Sequence, residues 1–446
     1  SGDAFYVFNA EKNDGFVIVS GDDRTVPILG YSRTGSIDMD KIPENMKWWL
    51  DSYARQMEAI CIGSLLPSAK LTTTSPKAAI PAMIQTRWGQ GAPYNLMCPD
   101  ENFLESGEKG YDPTKRCLTG CVATALAQVM YYHGWPESCP AIDQYSVGEY
   151  DISGNYTEKG KIKAIPSTTF DWTKIKTSYN ADETGEAAQE VAKLMRYCGQ
   201  AMNVEYGVDG TGGYLSPSLL ASVFNYSKNI RELSRDSYTT RQWEAFIYDE
   251  LVAGRPVLYG GSTKKYAGHQ FIVDGYDGSG LFHINWGWGG FKDSYFVLSI
   301  ADPDNPGAGA DSSEGAYQIG QSALIGVKPA EVGEVMLPSV TCYVNPDAVS
   351  IATYTRDDAS MDFKDVVLTG QVFASYMMEP PSDMTIEYGW ALYQDDNLIK
   401  AFDNNNGTVL TTQWWWNSFN NDKAISFGAG LTDGKYQLSQ IYRLSG

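Results

Sequence analysis

The chain has 446 residues, 43% hydrophobic and 20% charged, which is material for two or three cored domains and rules out a disordered or fibrous class. With 34 basic against 54 acidic side chains the net charge is −20, so the surface repels nucleic-acid phosphates and anionic membranes, and no long apolar run offers a membrane span. Seven cysteines, odd in number and without a CxxC pair, make no disulfide framework, and three histidines (His133, His269, His283) are the whole supply of imidazole bases.

In chain order, the opening SGDAFYVFNA has no basic or apolar leader pattern, so either the protein is not exported or a signal precedes this numbering. Phe5, Val7, Phe16 and Ile18 alternate around Asn13-Asp14-Gly15 and predict a hairpin. A helix is expected from Ile42-Pro43-Glu44, with Met46, Trp49, Leu50, Tyr53 and Met57 at helical spacing. Residues 64–80, rich in Thr, Ser, Pro and Lys, read as an extended, protease-accessible connector with Lys70 and Lys77 as nick sites. A second composition shift follows Val327. Beyond it, short alternating runs such as 367–373 and 386–393 predict an immunoglobulin-like β-sandwich. The expected domains are therefore 1–77, 78–330 and 331–446.

The middle part carries the chemistry. Val122, Ala125, Leu126, Val129 and Met130 make one buried helix face, ended by Gly134 and Pro136. Thr119-Gly120 precede this helix, so Cys121 sits in its first turn, where unpaired N–H groups and the helix dipole favour a thiolate. A buried structural cysteine fits the same segment. His133 lies at the far end of that helix, about 18 Å away, and cannot be the base for Cys121. Residues 268–290 read as two strands about the turn Asp277-Gly278-Ser279-Gly280, with His269 at the mouth of the first and His283 within the second. Asn285, Trp286 and Trp288 follow in a glycine-rich bend. A cysteine, a histidine and a carboxamide together form the thiol-protease arrangement. Upstream, Gln90 lies in a glycine bend from which its amide can meet an oxyanion beside the Cys121 N–H; an ordinary loop reads the same way.

Taken in order, WGQGAPYN, TGCVATALAQVMYYHGWP and GHQFIVDGYDGSGLFHINWGWGGFKDSYFVLS resemble the streptopain family of cysteine peptidases, from about Ile84 to about Pro329. The resemblance implies a papain-like α+β fold that cleaves proteins with a Cys/His dyad. Cys121 matches the nucleophile, His269 the general base and Gln90 the oxyanion residue. Trp286 and Trp288 match the tryptophans that shelter the histidine, with Asn285 beside them as a candidate orienting group and His283 without a chemical role. The loop Glu205–Tyr214 matches a cleft border, making Tyr206, Gly207 and Gly268 candidate substrate contacts. FYVFNAEKNDGFVIVSGDDRTVPILGYS with IPENMKWWLDSYARQMEAI resembles the family's propeptide, which packs on the catalytic domain and disturbs the histidine-bearing segment. The chain is then expected to be a latent zymogen, cut between Lys77 and Ala78.

No cofactor is expected. The acidic loop 302–315 lacks an EF-hand pattern, so no metal is expected either, and a cleft-edge flap is the reading there. Expected partners are protein or peptide substrates and the chain's own propeptide, without nucleic acid. The resemblance implies a secreted, cell-surface or periplasmic bacterial setting. The competing reading is a surface adhesin or glycan-binding protein with an inactive peptidase-like core, working through Trp414–Trp416, for which packing against a domain or partner is the other use. Acyl transfer to an amine shares the acyl-enzyme step and stays open beside hydrolysis.

Overall fold

The computed structural model describes residues 4–61 apart from Pro43, 65–67, 77–150, 155–235, 238, 240–261, 269–298, 301–306 and 321–336, and in the C-terminal part 341–344, 355–364, 366, 369–375, 384–394, 397–410, 414–420, 426–434 and 436–445. Gly268, most of the 64–80 connector and the 307–315 part of the acidic loop lie outside the described residues. The chain divides into two compact units, one of 1–302 with 317–334, the other of 335–446 with 303–316.

The first unit is organised by one antiparallel nine-stranded sheet. Its strands are β1 (Phe5–Asn9), β2 (Phe16–Ser20), β3 (Ile28–Ser32), β4 (Arg231–Ser234), β5 (Val257–Gly261), β6 (His269–Tyr276), β7 (Phe282–Asn285), β8 (Ser294–Phe296) and β9 (Gln321–Ile325). The spatial order is β1-β2-β3-β8-β7-β6-β5-β9-β4, so the N-terminal segment does not form a sheet of its own. It extends the sheet of the middle part through β3 and β8, where Tyr31 pairs with Tyr295 and Gly30 with Phe296. Gly30 is required there, because a Cβ would lie 2.5 Å from the Phe296 ring. The Tyr31 and Tyr295 rings stack at 5.3 Å.

The pleat sends alternate side chains to opposite faces. Val257, Tyr259, Phe271 and Val273 face one core, shared with α1 (Glu44–Cys61) and α5 (Thr240–Val252). Leu258, Ile272 and Leu324 face the other, built on α2 (Cys121–His133), α3 (Glu186–Ala201) and α4 (Pro217–Phe224). Every residue of α2 from Val122 to Met130 is buried, as suits a central helix apolar all round, and Gly134 closes it in the left-handed region. Trp49 of α1 is fully buried, with Tyr53, Tyr259, Phe271 and Trp286 ringed about it at 5.6–6.1 Å. Ser216 caps α4 by accepting the Leu219 N–H, and Pro217 takes its first helical position.

The second unit holds two three-stranded antiparallel sheets, one ordered 341–344, 369–375, 414–420 and the other 397–410, 384–394, 437–445. Trp414–Asn420 is a strand, with Trp416 opposite Phe373; its side chains lie outside what is described. Among the described residues no helix is long and apolar enough to cross a membrane.

Candidate active site

The approach to Cys121 is held from two sides. Gly120 has φ 85, and a Cβ there would lie 2.9 Å from Thr211, so the position needs glycine for both conformation and space. The Thr211 hydroxyl donates to the Leu118 carbonyl at 2.7 Å and accepts the Gly207 N–H at 3.1 Å, while the Leu118 N–H donates to the Gly207 carbonyl at 3.0 Å. From the other side the Thr119 N–H donates to the Gln90 carbonyl at 3.0 Å. The predicted oxyanion segment and the glycine-rich loop thus both brace the Cys121 turn. Gly120→Ala is expected to destabilise the chain by about 1–3 kcal/mol through forced backbone strain, read as a lower urea midpoint, and to slow reaction at Cys121 as its turn shifts.

Tyr206 departs from its expected place. Its ring is 5% exposed and lies in the core, 5.1 Å from the Arg196 guanidinium, which is itself paired with Glu105 at 2.6 Å. An aromatic ring beside a buried cation is an anchor for the loop. Gly207 contributes through its backbone alone.

Cys121 opens α2 as expected, yet the thiolate is not favoured in this form. Burial pushes its pKa up, and the N–H groups of Gln270, Val122 and Cys121 itself offset this only in part. The Gln270 N–H that faces the thiol directly follows His269 in β6. By pleat alternation His269 shares the face of Phe271, and its ring lies 6.5 Å from that of Trp48 on α1. Of the other cysteines whose side chains are described, Cys98, Cys117 and Cys139 are buried and pushed up to about 12, Cys198 is buried and pushed well up, and Cys61 is exposed.

Asn285 is 2% exposed and turned toward α2. Its carbonyl accepts the Gln128 amide at 3.1 Å and the Gly287 N–H at 3.0 Å, and its amide donates to the Thr86 carbonyl at 3.2 Å. The Thr86 hydroxyl completes the ring by donating to Gln128 at 2.7 Å. These bonds tie β7, α2 and the 84–90 segment together and give Asn285 a framing position. Trp286 is buried against Phe271 at 5.0 Å and Phe296 at 5.4 Å, whereas Trp288 is 37% exposed at the bend's tip.

His133 accepts or donates at Nδ1 with the Tyr226 hydroxyl at 3.0 Å, and burial lowers its pKa to about 4. His283, partly buried, meets the buried Asp274 at 2.6 Å. Lys77 lies over the Tyr248 ring at 4.3 Å, and the Ala78 carbonyl accepts the Tyr248 hydroxyl at 3.1 Å. Ile80 then exchanges both backbone bonds with Tyr276 at 2.8 Å. Among the described residues no group of three or more His, Cys, Asp or Glu is placed to hold a metal ion.

Thr86, Gln128, Thr211, Asp274 and Asp293 belong to this site without having been predicted. Gln128 in an otherwise apolar helix and Asp274 in FIVDGY were the available signals, since a polar group at a core position demands a partner.

A model of the peptidase C10 family matches residues 88–296, and a model of the Spi protease inhibitor matches residues 1–57. Streptopain of Streptococcus pyogenes is 33% identical over 340 residues, covering 74% of this chain and 82% of that protein. The thiol protease/hemagglutinin PrtT of Porphyromonas gingivalis is 31% identical over 360 residues; the match takes in 76% of this chain but only 39% of that longer protein. A solved fragment of Prevotella intermedia prointerpain A, carrying a cysteine-to-alanine mutation, is 29% identical with a TM-score of 0.57, covering 74% of this chain and 100% of the fragment. With one third identity sustained over most of streptopain's length, the chain belongs to the peptidase C10 family of cysteine peptidases.

Proposed function

We propose that this chain is a secreted cysteine endopeptidase made as a latent zymogen, with residues 1–77 as inhibitory propeptide and activation linker, 78–330 as a papain-like catalytic domain and 331–446 as an immunoglobulin-like sandwich. In the active form His269 takes the Cys121 proton and the thiolate attacks the scissile carbonyl. The Gln90 amide and the Cys121 N–H receive the oxyanion. As the C–N bond breaks, His269 gives its proton to the leaving amine and a thioester remains. His269 then deprotonates a water that attacks the thioester, releasing the acid product and the thiol. The two three-stranded antiparallel sheets of the second unit support the sandwich reading. Secretion rests on the likeness to streptopain.

The observation that carries latency is the placement of the His269 ring beside helix α1 of the N-terminal segment. The Cys121 thiol sits against the Gln270 N–H with a raised pKa, while the His269 ring packs beside Trp48 of the N-terminal unit. The test is intact mass and peptide mapping after a thiol-directed peptidase inactivator, before and after limited cleavage in 64–80. Mapping is needed because Cys61 is also exposed. Labelling of Cys121 only after cleavage is expected. Complete labelling in the uncut chain would refute latency, and none in either form would refute the enzyme.

A further inference from the structure

Beneath the bend lies a set of ionisable groups that the peptidase chemistry leaves unused. Asp274 is fully buried in β6, with one carboxylate oxygen accepting the Ile84 N–H at 2.8 Å and the other meeting His283 Nδ1 at 2.6 Å. Asp293, partly buried at the end of the bend, accepts the Trp286 N–H at 2.9 Å. The Trp286 indole N–H donates to the Lys292 carbonyl at 3.0 Å, so the loop 286–293 is closed twice at its base. Its tip is fixed elsewhere, because the Gly289 N–H donates to the Trp88 carbonyl at 2.8 Å. Gln90 follows two residues later, with its own carbonyl on the Thr119 N–H beside Cys121. A continuous series of contacts thus leads from the Asp293 carboxyl to the oxyanion segment.

We propose that Asp293 is a positioning residue for peptide hydrolysis, fixing the Trp286–Gly290 bend and through it the setting of the Gln90 amide. The proposal rests on the roles given above to Cys121 and Gln90. Asp293 is faced by His283 from β7, Asp274 from β6 and Arg87 from the 84–90 segment, and its neighbour Lys292 is faced by Asp38. Burial pushes the Asp293 carboxyl up to about 7, against the pull of the Trp286 N–H, His283 and Arg87. Burial also opposes the His283 imidazolium, but the charge and hydrogen bond of Asp274, with Asp293 adding to them, keep its pKa raised. Above about pH 7 the ionised Asp293 makes a charge-assisted bond to Trp286, which its protonated form makes only weakly.

The test uses the full chain with its connector cut, measuring kcat and KM from pH 5 to 9 per Cys121 titrated by inactivator. Asp293→Ala removes the acceptor and is expected to lower kcat about 10–100-fold with KM changed less than about twofold. Asp293→Asn keeps the acceptor without the charge. It is expected to match wild type below about pH 6 and to fall about 3–10-fold short at pH 8. If Asp293→Ala does not fold, the Asp293→Asn profile decides alone. A profile superimposable on wild type at every pH would overturn the proposal, as would unchanged kcat in folded Asp293→Ala. Failure of the wild-type cut chain to label at Cys121 or to hydrolyse peptides would instead sink the peptidase reading beneath it.

Discussion

Cys121→Ala is expected to reduce peptide hydrolysis by at least about 10⁴-fold, because it removes the proposed nucleophile that forms the thioester. The remaining described thiols are either pushed up by burial or, for Cys61, exposed at the end of α1. The substitution removes one sulfur at the first position of α2 and leaves Thr119, Thr124 and Thr211 to hold the turn. Its melting temperature should therefore stay close to that of the parent chain. Two readouts check this together, initial rates on an unstructured protein substrate and thermal unfolding. Retained hydrolysis in a folded Cys121→Ala chain would remove Cys121 from the mechanism. If maturation is self-catalysed, the variant also accumulates with residues 1–77 attached.

The second large effect is expected from Trp49→Ala. Trp49 has no exposed surface, its indole N–H donates to the Tyr53 hydroxyl at 2.9 Å, and its ring lies among Tyr259, Phe271 and Trp286. Truncating so large a buried aromatic costs about 3–5 kcal/mol. That loss falls on the packing of α1 against the sheet, since the other rings in the cluster remain braced by their own strands. The uncut Trp49→Ala chain should label at Cys121 several-fold faster than the uncut parent, and residues 4–61 should become sensitive to protease. If labelling of the uncut variant stays as slow as in the parent, α1 does not enforce latency. Trp48→Ala gives a finer comparison. Trp48 is the buried ring beside His269, so its loss acts on the histidine directly.

Much of this architecture was legible because it is local. The apolar spacing from Val122 to Met130, the glycine before Cys121 and the Asp277–Gly280 turn each specify their element through neighbours in sequence, and the helix, its cap and the hairpin stand where those signals put them. What escaped was set by contacts distant along the chain. Nothing in residues 28–32 announces that they pair with Ser294–Phe296, since a strand carries no local mark of a partner distant along the chain. Tyr206 is expected at the cleft because its loop resembles the family's cleft border, but its ring lies in the core beside Arg196, ten positions earlier on α3. The thiolate expected from a helix N-terminus is a short-range inference too. It omits the desolvation that the folded surroundings impose on Cys121.

The shared sheet changes what cleavage of the connector does. Strands β1–β3 and α1 are held by backbone pairing and by the Trp49 cluster, and neither is broken by cutting residues 64–80. Before the cut, release of the N-terminal unit is a one-molecule opening, opposed by the high effective concentration that a tether imposes. After the cut the same contacts define a two-body dissociation. On the proposed latency, activity would then depend on dilution as well as on cleavage. Cut molecules crowded together would stay largely silent, and would switch on as they diffuse apart or as the freed unit is digested.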